Sequence, residues 1–167
     1  KDELAKEQAL KAASLVGLTD DLLEKSPFRI SGGQMRRAAI AGILAMEPEV
    51  LVLDEPTRGL DPKGAKEVME LFNQIHKNHN KTIVLVSHDM DIVSQYAKRI
   101  IVLNDGKVVF DGPREDLFLH QDFKSFSLEQ PQTLMMMEHL HEKLGIPFKA
   151  LFSEDEIIEY LRELKDE

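Results

Sequence analysis

Apolar positions along this chain change rhythm twice, from helical spacing to unbroken runs and back to helical spacing. Leu4, Ala9, Ala12, Ala13 and Val16 recur near a helical repeat and stop at Gly17, which predicts a helix over residues 2–16. A short helical turn over residues 20–24 follows, and Ser26-Pro27 breaks it. The helical pattern returns over residues 34–46 and ends before Pro48. Here Met35, Ala38, Ala39, Gly42 and Ile43 form a stripe of mostly small residues that would let the helix sit close to a sheet. Three runs, residues 50–53, 83–86 and 100–103, are apolar without alternation, as in strands covered on both faces of a parallel sheet. Between the first two, Pro62 opens a helix with Val68, Leu71, Phe72 and Ile75 on one face. Strand, helix and strand then form a βαβ unit with a right-handed crossover. Asp105-Gly106 marks a tight hairpin into a strand at residues 108–110.

Composition shifts after Gly112-Pro113. The remainder holds Pro131, the cluster Met135-Met136-Met137, Pro147, and a last helix opened by Ser153 with Glu156 at capping-box spacing. The pattern predicts an α/β chain: a parallel sheet with flanking helices over residues 1–112, and a small helical appendage over residues 113–167. The boundary falls near residues 112–125. Leu134, Met135, Met137, Leu140 and Leu144 suit either a dimerisation surface or a satellite core for the last helices, and adaptable methionines do not decide between them.

Chemistry concentrates at four places. Ile30-Ser31-Gly32-Gly33-Gln34 opens a helix that continues with Arg36 and Arg37. Two glycines let backbone approach an anion closely, the helix start aims amides and its positive dipole end at it, and Ser31 adds a hydroxyl donor. An ordinary helix cap is the plainer use of the same residues. Val50-Leu51-Val52-Leu53-Asp54-Glu55-Pro56 ends an apolar strand in adjacent carboxylates, and a parallel strand delivers its last residues to the edge where ligands bind. The plainer alternative is a strand end that meets solvent. Gly59-Leu60-Asp61-Pro62 contains an N-cap and first-turn proline, and Ser87-His88-Asp89 leaves the second apolar run directly.

In this order and spacing the four segments resemble the signature loop, Walker B strand, D-loop and switch histidine of ABC-type ATPases. The resemblance implies a P-loop NTPase-like fold with ATP and Mg²⁺ as ligands. It gives Asp54 the orientation of Mg²⁺, largely through water, and Glu55 the part of general base toward an attacking water, worth ~10²- to 10⁴-fold in rate. It makes His88 a γ-phosphate sensor. Ser31, Gly32, Gly33 and Gln34 would contact nucleotide held by a second ATPase subunit, and Asp61 would lie in a loop at that dimer interface. Arg58 stands where many family members carry a small residue, as an interface partner or a solvated side chain.

The longer stretch S-G-G-Q-M-R-R-A-A-I-A-G-I-L-A-M-E-P-E-V-L-V-L-D-E-P-T-R-G-L-D-P is similar to the ATPase subunits of energy-coupling factor transporters, importers of vitamins and transition-metal ions. That likeness implies paired ATPase subunits on the cytoplasmic side of a membrane, beneath a transmembrane coupling protein, with a separate membrane subunit for substrate capture. No G-x-x-x-x-G-K-[ST] phosphate loop occurs in the chain, and its first residue is Lys1. The expectation is therefore a cassette truncated at its N-terminus, with a weak nucleotide site of its own and negligible hydrolysis in isolation.

Charge and composition narrow the alternatives. Across 167 residues, 21 basic side chains face 30 acidic ones, a formal charge of −9 that disfavours a nucleic-acid clamp. The absence of cysteine excludes disulfides and thiolate chemistry. No run approaches the ~20 apolar residues that span a bilayer. A chromosome-maintenance ATPase would bring sustained heptads, which are missing. A translation-associated ABC protein would bring a second cassette and a basic linker. A non-catalytic binding fragment is the other alternative. His76, His79, His120, His139 and His141 show no metal-like convergence.

Overall fold

The computed structural model describes residues 2–166, so Lys1 lies outside the described residues. The chain forms two compact units that meet between Val84 and Leu85. The composition shift near Gly112-Pro113 thus falls inside the second unit.

The first unit begins with helices α1 (Asp2–Leu15), α2 (Asp20–Leu23) and α3 (Gly32–Leu44). Gly17, at φ +71°, turns the chain out of α1. Strand β1 (Val50–Asp54) and helix α4 (Pro62–His79) follow, and strand β2 (Thr82–Val86), within which the first unit ends, completes the βαβ unit. Strands β1 and β2 pair in a two-stranded sheet, and the Thr82 amide donates to the Glu49 carbonyl at 2.9 Å, joining the starts of the strands. The core is built from Ala12, Ala13 and Val16 of the α1 region, Ala41 and Leu44 of α3, Leu51 of β1, and Phe72 and Ile75 of α4. Alanines at the α1–α3 contact let the helices approach closely, and each buried larger aliphatic contributes about 1.5–3 kcal/mol.

Two expectations fail here. The strands are not covered on both faces: Leu51 is buried, while Val52 is 67% and Val50 53% exposed, with Val84 exposed as well. Nor does most of the small-residue stripe of α3 pack inward, Ala38 being the member that does. Ala38, Ala41 and Leu44 pack into the core, whereas Met35, Ala39, Gly42 and Ile43 face outward.

The second unit contains α5 (Met90–Tyr96), β3 (Arg99–Asn104), β4 (Lys107–Pro113), α6 (Arg114–Phe118), α7 (Gln132–Leu144) and α8 (Glu154–Asp166). The expectation that residues 100–103 join the parallel sheet is also corrected. β3 pairs antiparallel with β4 in a sheet of its own, with Asn104 opposite Lys107. Asp105 (φ +48°) and Gly106 (φ +73°) both take left-handed backbone, as a two-residue type I′ hairpin requires. Register slips between Val102 and Leu103, a bulge that leaves Val109 without an opposite residue.

One core joins Met90 and Val93 of α5, Ile100 and Val102 of β3, Leu117 and Phe118 of α6, Leu134 of α7, and Phe152. A smaller one holds Met137, Leu151 and Ile157 with Leu140, Ile146, Tyr160 and Leu161. Of the five apolar residues singled out in this region, Leu134, Met137 and Leu140 therefore belong to cores; Met135 and Leu144 remain exposed. Ser153 opens α8 as expected, its Oγ accepting from the Glu156 amide at 3.2 Å.

Candidate functional site

Ser31 is the N-cap of α3. Its Oγ accepts from the Gln34 amide at 3.2 Å, and Gln34 Oε1 accepts from the Ser31 amide at 2.9 Å, closing a reciprocal capping box. The cap reading is thus correct, and it fixes Gly32 and Gly33 as the first two residues of an exposed helix start. Neither glycine has left-handed backbone, and a Cβ placed on either would meet no atom within 4 Å. Glycine costs up to about 1 kcal/mol against alanine in a helix, so nothing in the chain's own packing calls for these two. Behind them, Arg37 reaches Glu67 of α4 at 3.3 Å.

Asp54 ends β1 with an exposed side chain, and Glu55 follows at φ +45°. A non-glycine residue in this region carries a cost of order 1–3 kcal/mol and marks a position worth a functional explanation. Two turns then carry the chain toward α4, from the Arg58 amide to the Glu55 carbonyl (3.1 Å) and from the Leu60 amide to the Thr57 carbonyl (3.1 Å). Gly59, at φ +76°, supplies the left-handed residue between them. Asp61 caps α4, accepting from the Gly64 amide at 3.1 Å, with Pro62 at the first helical position. A Cβ at Gly64 would lie 2.7 Å from Asp61 Oδ1, so this glycine does serve the fold.

His88 belongs to the second unit and is exposed, held in a tight local turn where Ser87 Oγ accepts from the Asp89 amide at 3.1 Å. Asp89 caps α5, its Oδ1 accepting from the amides of Asp91 and Ile92 at 3.1 Å each. One residue escaped the motif reading. Asp91 Oδ1 accepts from the amide of Gln132, 41 residues away, at 2.7 Å, and sequence spacing carries no signal of such a contact. Of the other histidines, His76 and His141 bond backbone carbonyls of Lys81 and Ile146 at 2.7 and 2.8 Å, and His120 accepts from the Asp122 amide at 3.1 Å.

A family profile described as ABC transporter matches residues 1–58, which contain the capped glycine turn and the Asp54-Glu55 strand end. The chain is 49% identical to the energy-coupling factor transporter ATP-binding protein EcfA2 of Bacillus cereus, over 96% of this chain and 57% of that protein. The EcfA2 of Ligilactobacillus salivarius is likewise 49% identical over 96% of this chain and 57% of its own length. The chain is thus similar to the ATP-binding cassettes of ABC transporters. It spans about 57% of the length of these ABC relatives. Among solved ABC structures, cbiO1 from Clostridium perfringens, part of the transporter complex cbiONQ, matches with a TM-score of 0.64 at 33% identity, over 84% of this chain and 50% of that one. The cassette MJ0796, solved as a dimer bound to ADP and Pi after hydrolysis, matches with a TM-score of 0.52 at 33% identity, over 65% of this chain and 46% of that one. The P-loop NTPase fold of the ABC cassettes is thus the framework on which the motif residues stand. No helix among the described residues is long and apolar enough to cross a membrane.

Proposed function

We propose that this chain belongs to an ATP-hydrolysing subunit of an energy-coupling factor importer, powering uptake of a vitamin or a transition-metal ion. In this reading it sits peripherally on the cytoplasmic face of the membrane, pairs with a second ATPase subunit and serves a transmembrane coupling protein; substrate is captured by a separate membrane subunit. Nucleic acid has no part in it. The observation that carries the reading is the capped, exposed Gly32-Gly33 helix start, open to close approach although the fold itself does not need glycine there.

The positions of the residues support a division of labour. Ser31, Gly32, Gly33 and Gln34 offer first-turn amides and a hydroxyl to an anion from outside the chain, the site of the partner subunit's ATP. Asp54, an exposed carboxylate at a strand end, offers the hard oxygen donor that Mg²⁺ takes. When bound, that ion neutralises and orients the ATP phosphates. Glu55 is the general base, held in left-handed backbone just past the strand. His88 senses the γ-phosphate, and Asp61, with one carboxylate oxygen engaged as a cap, faces the subunit interface with the other. The G-x-x-x-x-G-K-[ST] loop such a site requires is not among these residues, so the chain alone hydrolyses ATP negligibly.

Phosphate release by a full-length energy-coupling factor ATPase subunit, with and without this chain, tests the reading. Activity should rise on mixing, lose that gain in Ser31→Arg, and keep it in Glu55→Gln. A gain that survives Ser31→Arg, or no gain from the unaltered chain, overturns service in trans.

A further inference from the structure

Helix α5 leaves the His88 loop directly and is held at both ends by the C-terminal part of its own unit. At its start lies Asp91. Helix α7 has Pro131 as its N-cap, with no capping side chain, so its first turn depends on an acceptor from elsewhere. The half-buried Asp91 supplies it, its Oδ1 accepting from the Gln132 amide at 2.7 Å, a charge-assisted bond at the positive end of α7. The backbone of Asp91 is fixed in turn: its carbonyl accepts from the hydroxyl of Ser94, which is 1% exposed.

At the other end, the last carbonyls of a helix also lack partners within it. Arg114, at the head of α6, donates through Nη1 to the Ser94 carbonyl at 2.8 Å. Its guanidinium carbon lies 4.4 Å from the centre of the Phe152 ring, and Phe152 is 3% exposed in the core beside Leu134. Nε pairs with Glu115 at 2.8 Å, which completes the orientation of the fork. Both termini of this seven-residue helix are therefore tied to the C-terminal segment, and the short Ser87-His88-Asp89 turn leads from its N-cap to the histidine.

We propose that Asp91 and Arg114 are positioning residues that couple the C-terminal helical segment to the switch-histidine loop, so that displacing α7 or Phe152 changes the setting of His88. This rests on the reading of His88 as the γ-phosphate sensor, but its test does not use nucleotide. The full chain is examined by long-range ¹H–¹⁵N spectra of the imidazoles, with His88 assigned by its loss in His88→Gln, beside amide exchange along α5.

Asp91→Ala and Arg114→Lys should each move the His88 signals and speed exchange in α5 roughly ten- to hundredfold, the range for a lost bond to a charged group. Phe152→Leu, which keeps apolar volume but removes the ring, should move the same signals from the far side. Asp91→Asn retains an acceptor oxygen and should restore most of the unaltered spectrum. Should Asp91→Ala unfold the unit, Arg114→Lys and Phe152→Leu decide. Faster exchange in α5 with unmoved His88 signals would overturn the coupling and leave only a local clamp. If the His88 signals move but the partner-ATPase gain is absent, the coupling stands and the functional reading falls.

Discussion

Replacing Gly32 and Gly33 with alanine should raise the stability of this chain while abolishing its service to a partner subunit. Both residues lie in the first turn of α3 with ordinary helical backbone, and a Cβ on either meets open space within 4 Å. No steric cost therefore opposes the change. The gain comes chiefly from a less flexible unfolded chain, about 0.4–1 kcal/mol per site where the backbone is compatible. The first turn deserves the low end of that range, because a frayed terminus orders less completely than a helix interior. About 1 kcal/mol for the double variant corresponds to roughly 2–4 °C in melting temperature for a chain of this size. Ser31→Ala provides a control of opposite sign, since it removes the cap and costs about 1 kcal/mol. Thermal and urea unfolding followed by circular dichroism measure the first effect, and phosphate release in the mixed assay measures the second. A lower melting temperature for the double variant would refute the claim that the fold makes no demand for glycine. An undiminished ATPase gain would refute the claim that close approach from outside is what the glycines serve.

Thr133 Oγ1 is buried with no hydrogen-bond partner among the described residues, so Thr133→Val, which keeps the shape, should stabilise the second unit by about 1 kcal/mol, read as a higher urea midpoint. Val52, 67% exposed on β1, should tolerate threonine within about 0.5 kcal/mol, whereas the buried Leu51 should lose roughly 2–5 kcal/mol as alanine; a comparable loss at Val52 would mean that its face is covered in solution. The Arg99 guanidinium grips Asp111 through two bonds of 2.7 and 2.8 Å across the β3–β4 hairpin, and this hydrogen bonding, aided by charge attraction, holds the Asp111 carboxyl below its ordinary value of 3.8. The folded value being the lower one, the pair stabilises the hairpin above the ordinary carboxylate range, and that contribution is lost as pH falls through the folded value. A carboxyl NMR titration should place the Asp111 midpoint below normal, and both Arg99→Gln and high salt should move it upward.

What the sequence made legible was whatever local rules control. Helix starts at Pro62 and Ser153, the Asp105-Gly106 hairpin, and the stop at Gly17 follow from caps, fixed φ and left-handed turns that act within a few residues. The strands themselves were legible, but their environments were not. Residues 50–53 and 100–103 look alike as apolar runs, yet β1 enters a sheet with β2 while β3 pairs antiparallel with β4. Period alone cannot choose a partner, and the favourable hairpin turn decided it for β3. The outward stripe of α3 misled for a related reason. Alanine and glycine fit a contact face or an exposed face equally well, and large residues lie on both sides, Leu44 inward and Met35 and Ile43 outward. Asp91 and Arg114 left no trace at all, because their bonds join segments that only the tertiary fold brings together.

The motif residues also show why capping and catalysis are hard to separate by inspection. Ser31, Asp61 and Asp89 are each the N-cap of the helix that follows, and each fulfils the structural need of its helix with bonds of 3.1–3.2 Å. Had the chain required nothing more, the residues around them would obey the economy of ordinary caps. At Asp61 they do, since Gly64 is small where a Cβ would press on the capping oxygen. At Ser31 they do not, since two glycines follow where any side chain would fit. Just past the end of β1, Glu55 takes left-handed backbone, which Gly59, four residues on, adopts without penalty. On the proposed reading, the functional signal lies in glycine where alanine would be more stable and in a carboxylate where glycine would be less strained. Both departures cost stability, and both stand at ends of elements where a nucleotide could reach them.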